Sequence, residues 1–182
     1  MESAGLKEWA IVCEAMGRGE QSVILRKGGI AESRAGFAFR HSEFFLFPTF
    51  FHEQIGKVRG DGGELPKERA NDIEIRFFAK VIAVAHLTSW ETVAALEPLH
   101  ILQQSVVRER FDYDNTPGLH AALVRVFRLR PSWIFPNAPR YGGCRSWVTL
   151  TGCPTELRFE PVLSERNHEE RVEKFRAACS AS

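Results

Sequence analysis

The chain has no long uncharged apolar run, no paired-cysteine motif and little lysine, and each of these absences removes a class of protein. No stretch approaches the roughly 20 apolar residues that a membrane-spanning helix needs. No basic-then-apolar leader opens the sequence, so a cytoplasmic protein without a membrane partner is expected. The four cysteines, Cys13, Cys144, Cys153 and Cys179, stand at irregular spacings with no Cys-x-x-Cys, and a chain of 182 residues needs no disulfide staples. Eight residues separate Cys144 from Cys153 and no His-x3-His pair occurs, so neither a metal nor another cofactor is expected. Gly-x-Ser-x-Gly is missing, as is the glycine and lysine spacing of a phosphate-binding P-loop. The formal net charge of +1 generates no field that would demand a polyanion.

Basic charge is carried by 18 arginines against six lysines. A guanidinium fork suits bidentate phosphate or carboxylate contacts and stacking on rings. Compositional bias of a GC-rich genome would give the same excess. At 44% hydrophobic the chain can bury a sizeable core, and residues 1–182 are expected to form one globular domain.

Periodicity predicts the elements. Leu6, Trp9, Ala10, Cys13 and Met16 fall at helical spacing behind Ser3, which predicts an amphipathic first helix ending at Gly17 and Gly19. Ser22 to Arg26 reads as a buried strand closed by Gly28-Gly29. Short strands are expected around Phe37 to Phe39 and over Phe44 to Phe47, the second stopped by Pro48, with a helical turn or two following between Phe50 and Val58. Residues 59–69 are rich in glycine and charge and form the clearest loop. Ile73, Ile75 and Phe77 alternate with charged residues, so a long strand is expected from Asp72 to Ala85. Thr88 and Glu91 have capping-box spacing ahead of a helix over Thr92 to Leu96, and Ser105 is placed to cap another. Strands are expected over Leu119 to Leu129 and Ser146 to Leu150, and a last helix over 164–180 behind Ser164. Strands and helices mix without strict βαβ alternation, which predicts an α+β fold with a curved mixed sheet flanked by helices.

Three polar, glycine-bearing signatures stand out: Arg26-Lys27-Gly28-Gly29-Ile30; Phe47-Pro48-Thr49 with His52 and Gln54; and Tyr141-Gly142-Gly143-Cys144-Arg145-Ser146-Trp147. Arg26 and Lys27 beside a Gly-Gly turn can form an anion nest, or can be solvated charges on a hairpin. His52 is either a histidine bonded at a helix start or a base-contacting group. Seven arginines between Arg108 and Arg145, opposed by three acids, are interleaved with Trp133, Tyr141 and Trp147, the residue types that contact phosphate and stack on bases. Arg125 and Arg128 point to opposite strand faces, so these arginines cannot all line one groove.

Asp72, Glu74 and Arg76 faintly resemble the carboxylate arrangement of restriction-type nucleases, but Arg76 cannot act as a base near neutrality. Alternating solvent-facing residues of a strand look the same.

Leu6-Lys7-Glu8-Trp9, the strand running into Arg-Lys-Gly-Gly-Ile, Leu-Phe-Pro-Thr and Tyr-Gly-Gly-Cys-Arg-Ser-Trp-Val together resemble an uncharacterised bacterial family known as domain of unknown function 1802. That resemblance implies an accessory role linked to DNA, alongside restriction-type nuclease domains. Gly19 to Arg26 also resembles the opening of PUA-like domains of the ASCH and EVE branches, which implies a small barrel-like sheet and RNA or base binding.

The expected function is a binding module for nucleic acid or a nucleotide-like anion. Arg26, Lys27 and Arg145 would hold phosphate, Tyr141 and His52 would contact base or sugar, and Gln54 would bond an edge. The alternatives are a metal-dependent nuclease or phosphoesterase using Asp72, Glu74 and His52, and a protein-interaction component of a defence system that docks a partner on Phe50 and Phe51.

Overall fold

The computed structural model describes residues 2–27, 39–60, 66–113 and 116–180. The Gly28-Gly29 turn, Phe37 of the expected short strand and residues 61–65 of the expected loop lie outside these.

Two long antiparallel strands form the spine: β4 (Asp72–Leu87) and β5 (Leu119–Pro136). Around them the order is β2 (Val23–Arg26), β5, β4, β3 (Glu43–Thr49), β1 (Glu2–Trp9) and β6 (Trp147–Thr151), with β7 (Arg158–Pro161) also pairing with β5. Among the described strands only β1 and β3 run parallel. The sheet is therefore mixed and, among the described strands, open at its ends. Together with α1 (Ala10–Gly17), α2 (Trp90–Ala95), α3 (Gln104–Asp112) and α4 (Glu165–Ser180) it gives the α+β class. No helix of the described residues is long and apolar enough to cross a membrane.

The chain start departs from the helical expectation. Glu2–Trp9 is a strand paired on both edges, parallel to β3 and antiparallel to β6, and Ser3 sits opposite Leu150 instead of capping a helix. Helical spacing from Leu6 to Met16 arises because a strand with buried Leu6 and Glu8 runs straight into α1. Seven of the eight residues of α1 are buried, all but Glu14, so it lacks the broad polar face of an amphipathic helix.

Two cores lie on opposite faces of the sheet. The larger joins Leu6, α1, Phe44, Leu46 and Phe77 to the helices; the smaller joins Phe45, Phe47, Ile75, Trp133 and Tyr141. Ile75 and Phe77 share sequence parity yet enter different cores, because the β4–β5 register slips between them. Such a bulge reverses the inward face of a strand. Phe77 then lies against the end of α1, where a Cβ on Gly17 would come within 2.0 Å of its ring. Only glycine permits that approach.

Other boundaries moved by smaller amounts. Ser89, not Thr88, caps α2 by accepting from the Thr92 N–H at 3.4 Å. Gln103 precedes α3, with Ser105 inside the helix. β5 continues past Leu129 to Pro136, and β7 had no sequence expectation. The last helix lies where expected: Ser164 Oγ accepts from the Asn167 N–H at 3.3 Å, and Phe175 and Ala178 are buried.

β3 does not stop at Pro48. It pairs with β4 only over Glu43–Phe45 and continues to Thr49 with β1 alone. A proline lacking its N–H is tolerated there because one edge of the strand is already unpaired. That parting of β3 from β4 shapes the surface described next.

Candidate functional site

Where β3 leaves β4, a cleft of about 780 Å³ opens between the end of β3, the start of β4, the end of β5 and the turn after Tyr141. Tyr141 is buried among the lining, its ring 5.6 Å from Phe47 and 5.5 Å from Phe135, and its hydroxyl accepts from Arg140 at 2.9 Å. Lys7 reaches in from β1 and donates to the carbonyls of Gly142 (3.0 Å) and Gly143 (2.9 Å). Gly143 takes φ +76°, a left-handed conformation that the turn requires. Burial lowers the Lys7 pKa, with the nearby Cys144 pulling it the other way. Two of the three ammonium donors are occupied, leaving one for a ligand.

Asn71 and Asn137 line the cleft at the open end of the β4–β5 ladder, joined by a backbone bond from Asn137 N–H to Asn71 O at 2.8 Å. Both are exposed, and neither carboxamide has a hydrogen-bond partner among the described residues. Phe50 lines the same cleft, partly exposed, and stacks on no other ring among those residues.

Successive strand residues face opposite ways, so Glu8 points away from the cleft. It is 4% exposed, accepts from the Trp9 N–H at 2.9 Å and pairs with Arg26 at 3.1 Å. Arg26 also donates to the Lys7 carbonyl, and Thr49 Oγ1 donates to the Glu8 carbonyl at 3.0 Å. Arg110 lies 4.6 Å over the Trp9 ring and donates to Leu25 O at 3.3 Å. Burial lowers its pKa against the pull of Glu8.

Of the six expected ligand residues, Tyr141 alone lines the cleft. Arg26 is tied to Glu8, and Lys27 donates to the carbonyls of Phe111, in the last turn of α3, and of Thr116 beyond it. His52 begins a 3₁₀ turn, His52–Lys57, and is exposed. Arg145 is exposed two residues beyond the cleft-lining Gly143 and has no bonded partner among the described residues. Arg26, His52 and Arg145 therefore do not share the cleft. The signatures meet in pairs instead: the second and third in the cleft beside Lys7, the first and second behind it around Glu8.

Gln54 is corrected from ligand donor to helix cap. It is fully buried; its Oε1 accepts from the Ile11 N–H at 3.0 Å, and its Nε2 donates to Phe51 O at 2.9 Å. Trp9 at the N-cap position supplies no such bond to α1. Gln54→Ala is expected to lower stability by about 1–3 kcal/mol, because it strands a buried N–H. Urea unfolding checks this, and a change below roughly 0.5 kcal/mol would contradict the cap.

The arginine-rich segment is dispersed over the fold. Arg125 holds Glu165 with two bonds (2.9 and 2.5 Å), Arg128 donates to Gly17 O at the end of α1, and Arg130 and Arg108 pair with Glu160 and Asp112. Asp72 and Glu74 face an adjoining cavity of about 300 Å³. Both Glu74 oxygens are engaged, one by Ser132 Oγ (2.7 Å) and one by Arg69 (3.0 Å). Burial would raise that carboxyl, but these bonds outweigh it and hold the pKa below the usual value. Among the described residues no group of three His, Cys, Asp or Glu is placed to hold a metal.

Sequence reasoning missed Lys7, Asn71 and Asn137. Lys7 could have been found within the Leu6-Lys7-Glu8-Trp9 signature, as one of few lysines; the two asparagines carry no motif.

No curated protein matches the chain. The crystal structure of ASCH from Zymomonas mobilis is similar over 93% of each chain, at 13% identity and a TM-score of 0.44. Two substituted variants of that protein align over 93% of this chain and 94% and 96% of theirs, at 13% and 14% identity and TM-scores of 0.41 and 0.42. The family described as Domain of unknown function (DUF1802) matches residues 5–174, from within β1 into α4, and the chain belongs to it.

Proposed function

We propose that the chain binds a nucleic acid or nucleotide-like ligand in the cleft beside Lys7. The observation that carries this reading is the convergence on one hollow of a ring, Phe50, and two carboxamides, Asn71 and Asn137, none of them stacked or bonded to another side chain among the described residues. Ring faces accept bases of any sequence, at about 1–3 kcal/mol per stacked base. Carboxamides pair with the donor–acceptor edges of bases. The remaining Lys7 donor, with Arg145 on the adjoining turn, would take a phosphate oxygen. A hollow where a few polar groups converge beside apolar ones is a common form of small-ligand site.

Fluorescence anisotropy with labelled single-stranded RNA, single-stranded DNA and duplex, at low and high salt, tests the reading. Binding of at least one single strand is expected at low salt. Phe50→Ala should weaken it by roughly 5- to 150-fold, the equivalent of one stacked base, with an unchanged urea midpoint. No binding to any of the three at low salt would remove the proposal.

A further inference from the structure

We infer that the cleft recognises the base and not the backbone, so that its ligand is one unpaired nucleobase held with at most one phosphate contact. This rests on the nucleic-acid reading above and narrows its ligand class.

The lining residues carry two formal charges, Lys7 and Glu68, of opposite sign. A surface that tracks a phosphate backbone needs a row of cations with open donors. On the turn beside this cleft Arg140 is bonded to the Tyr141 hydroxyl and Thr151 Oγ1, which leaves Arg145 as the one open guanidinium there among the described residues. In the adjoining cavity Lys67, Arg69 and Arg76 face Glu14, Glu68, Asp72 and Glu74, with Arg69 paired to Glu74 and Arg76 to Glu14. On the other face of β1, Arg26 and Lys27 are turned to Glu8 and to backbone carbonyls. The cleft offers neutral hydrogen-bonding edges and rings instead.

The backbone that carries those edges is held in place. Asn71 and Asn137 flank the first rung of the β4–β5 ladder, Asp72 opposite Pro136, and are bonded to each other through the backbone. Neutral donor and acceptor groups on a fixed backbone favour a ligand whose information lies in its donor and acceptor pattern. The volume of about 780 Å³ falls within the range of about 300–1,000 Å³ that takes a single compact ligand.

Competition experiments separate this inference from the reading beneath it. A labelled single-stranded oligonucleotide serves as tracer, and the competitors are the four nucleosides, their 5′-monophosphates, ribose 5-phosphate and inorganic phosphate. At least one nucleoside should compete within about tenfold of its monophosphate. Ribose 5-phosphate and inorganic phosphate should not compete, and log affinity should fall with log salt at a slope no steeper than about −0.7, one phosphate on a single strand. The Asn71→Ala/Asn137→Ala variant should lose at least about tenfold in nucleoside affinity while keeping its urea midpoint.

If oligonucleotides bind but no nucleoside competes, or if the slope corresponds to three or more phosphates, the inference is overturned and the nucleic-acid reading survives. Unchanged affinity in the folded double variant also overturns it. If no oligonucleotide binds, both fall.

Discussion

Glu8→Ala is expected to cost the fold about 3–5 kcal/mol, the range found when one partner of a buried ion pair is removed and the other is left charged. Glu8 is 4% exposed, and Arg26, its direct partner at 3.1 Å, has a side chain 20% exposed. Arg110 sits in the same neighbourhood, desolvated over Trp9 and drawn toward the Glu8 charge. Two guanidiniums thus depend on one carboxylate, and its loss leaves them repelling each other away from water. Glu8→Gln should cost less, since it keeps an acceptor for the Trp9 N–H. In Glu8→Ala/Arg26→Met the stranded charge is gone, and part of the loss should return. Urea unfolding of these proteins, and of Arg26→Met alone to close the cycle, supplies the measurement. A single-variant loss under about 1 kcal/mol, or strict additivity of the two changes, would show that the network does not hold β1 in place.

The consequence reaches the cleft. β1 presents Lys7 on one face and Glu8 on the other, and Arg26 and Thr49 bond to the carbonyls of Lys7 and Glu8. The geometry of the cleft floor therefore rests on a network behind it. Sequence reading placed Arg26 among phosphate contacts because an arginine before a Gly-Gly turn is chemically able to serve there. What it could not contain is the carboxylate eighteen residues earlier in the chain that occupies the guanidinium.

Legibility follows the range of the forces involved. β4, β5 and α4 were readable because alternation or a 3.6-residue stripe is a local record of which face is buried. β1 was misread because Leu6, Trp9 and Ala10 fit a helix just as well, and only pairing with β3 and β6 decides for a strand. Gln54 caps a helix that starts more than forty residues before it, so no neighbouring pattern marks it. The cleft itself comes from β3 and β4 ceasing to pair after Phe45, an event encoded in no single segment. Tyr141, which lines the cleft, was singled out because its Gly-Gly turn is a local signal. Asn71 and Asn137 were not, because their partnership exists only across the sheet.

Acidification between pH 6.5 and 4 is expected to remove about 3 kcal/mol of stability through His100 alone. The ring is 3% exposed and its Nδ1 accepts from the Leu102 N–H at 3.2 Å, a bond that the neutral form makes. Burial, followed by the charges of Arg59 and Arg110, lowers its pKa from 6.5 to about 4. The folded pKa lies below the unfolded one. Between the two values the unfolded chain takes up a proton that the folded chain rejects. The stabilisation is therefore complete above about 6.5 and is lost as pH falls through about 4. His120 and His168 are also lowered, chiefly by burial, and add to the slope in the same sense. Comparison with His100→Gln isolates the one residue. The variant can be less stable at pH 7, but its urea-derived stability should decline by about 3 kcal/mol less than that of the wild type between pH 6.5 and 4. Parallel profiles would mean that His100 accepts its proton in the folded state, and the loop that carries it, between the Glu97–Leu99 turn and α3, would have to open to water to allow that.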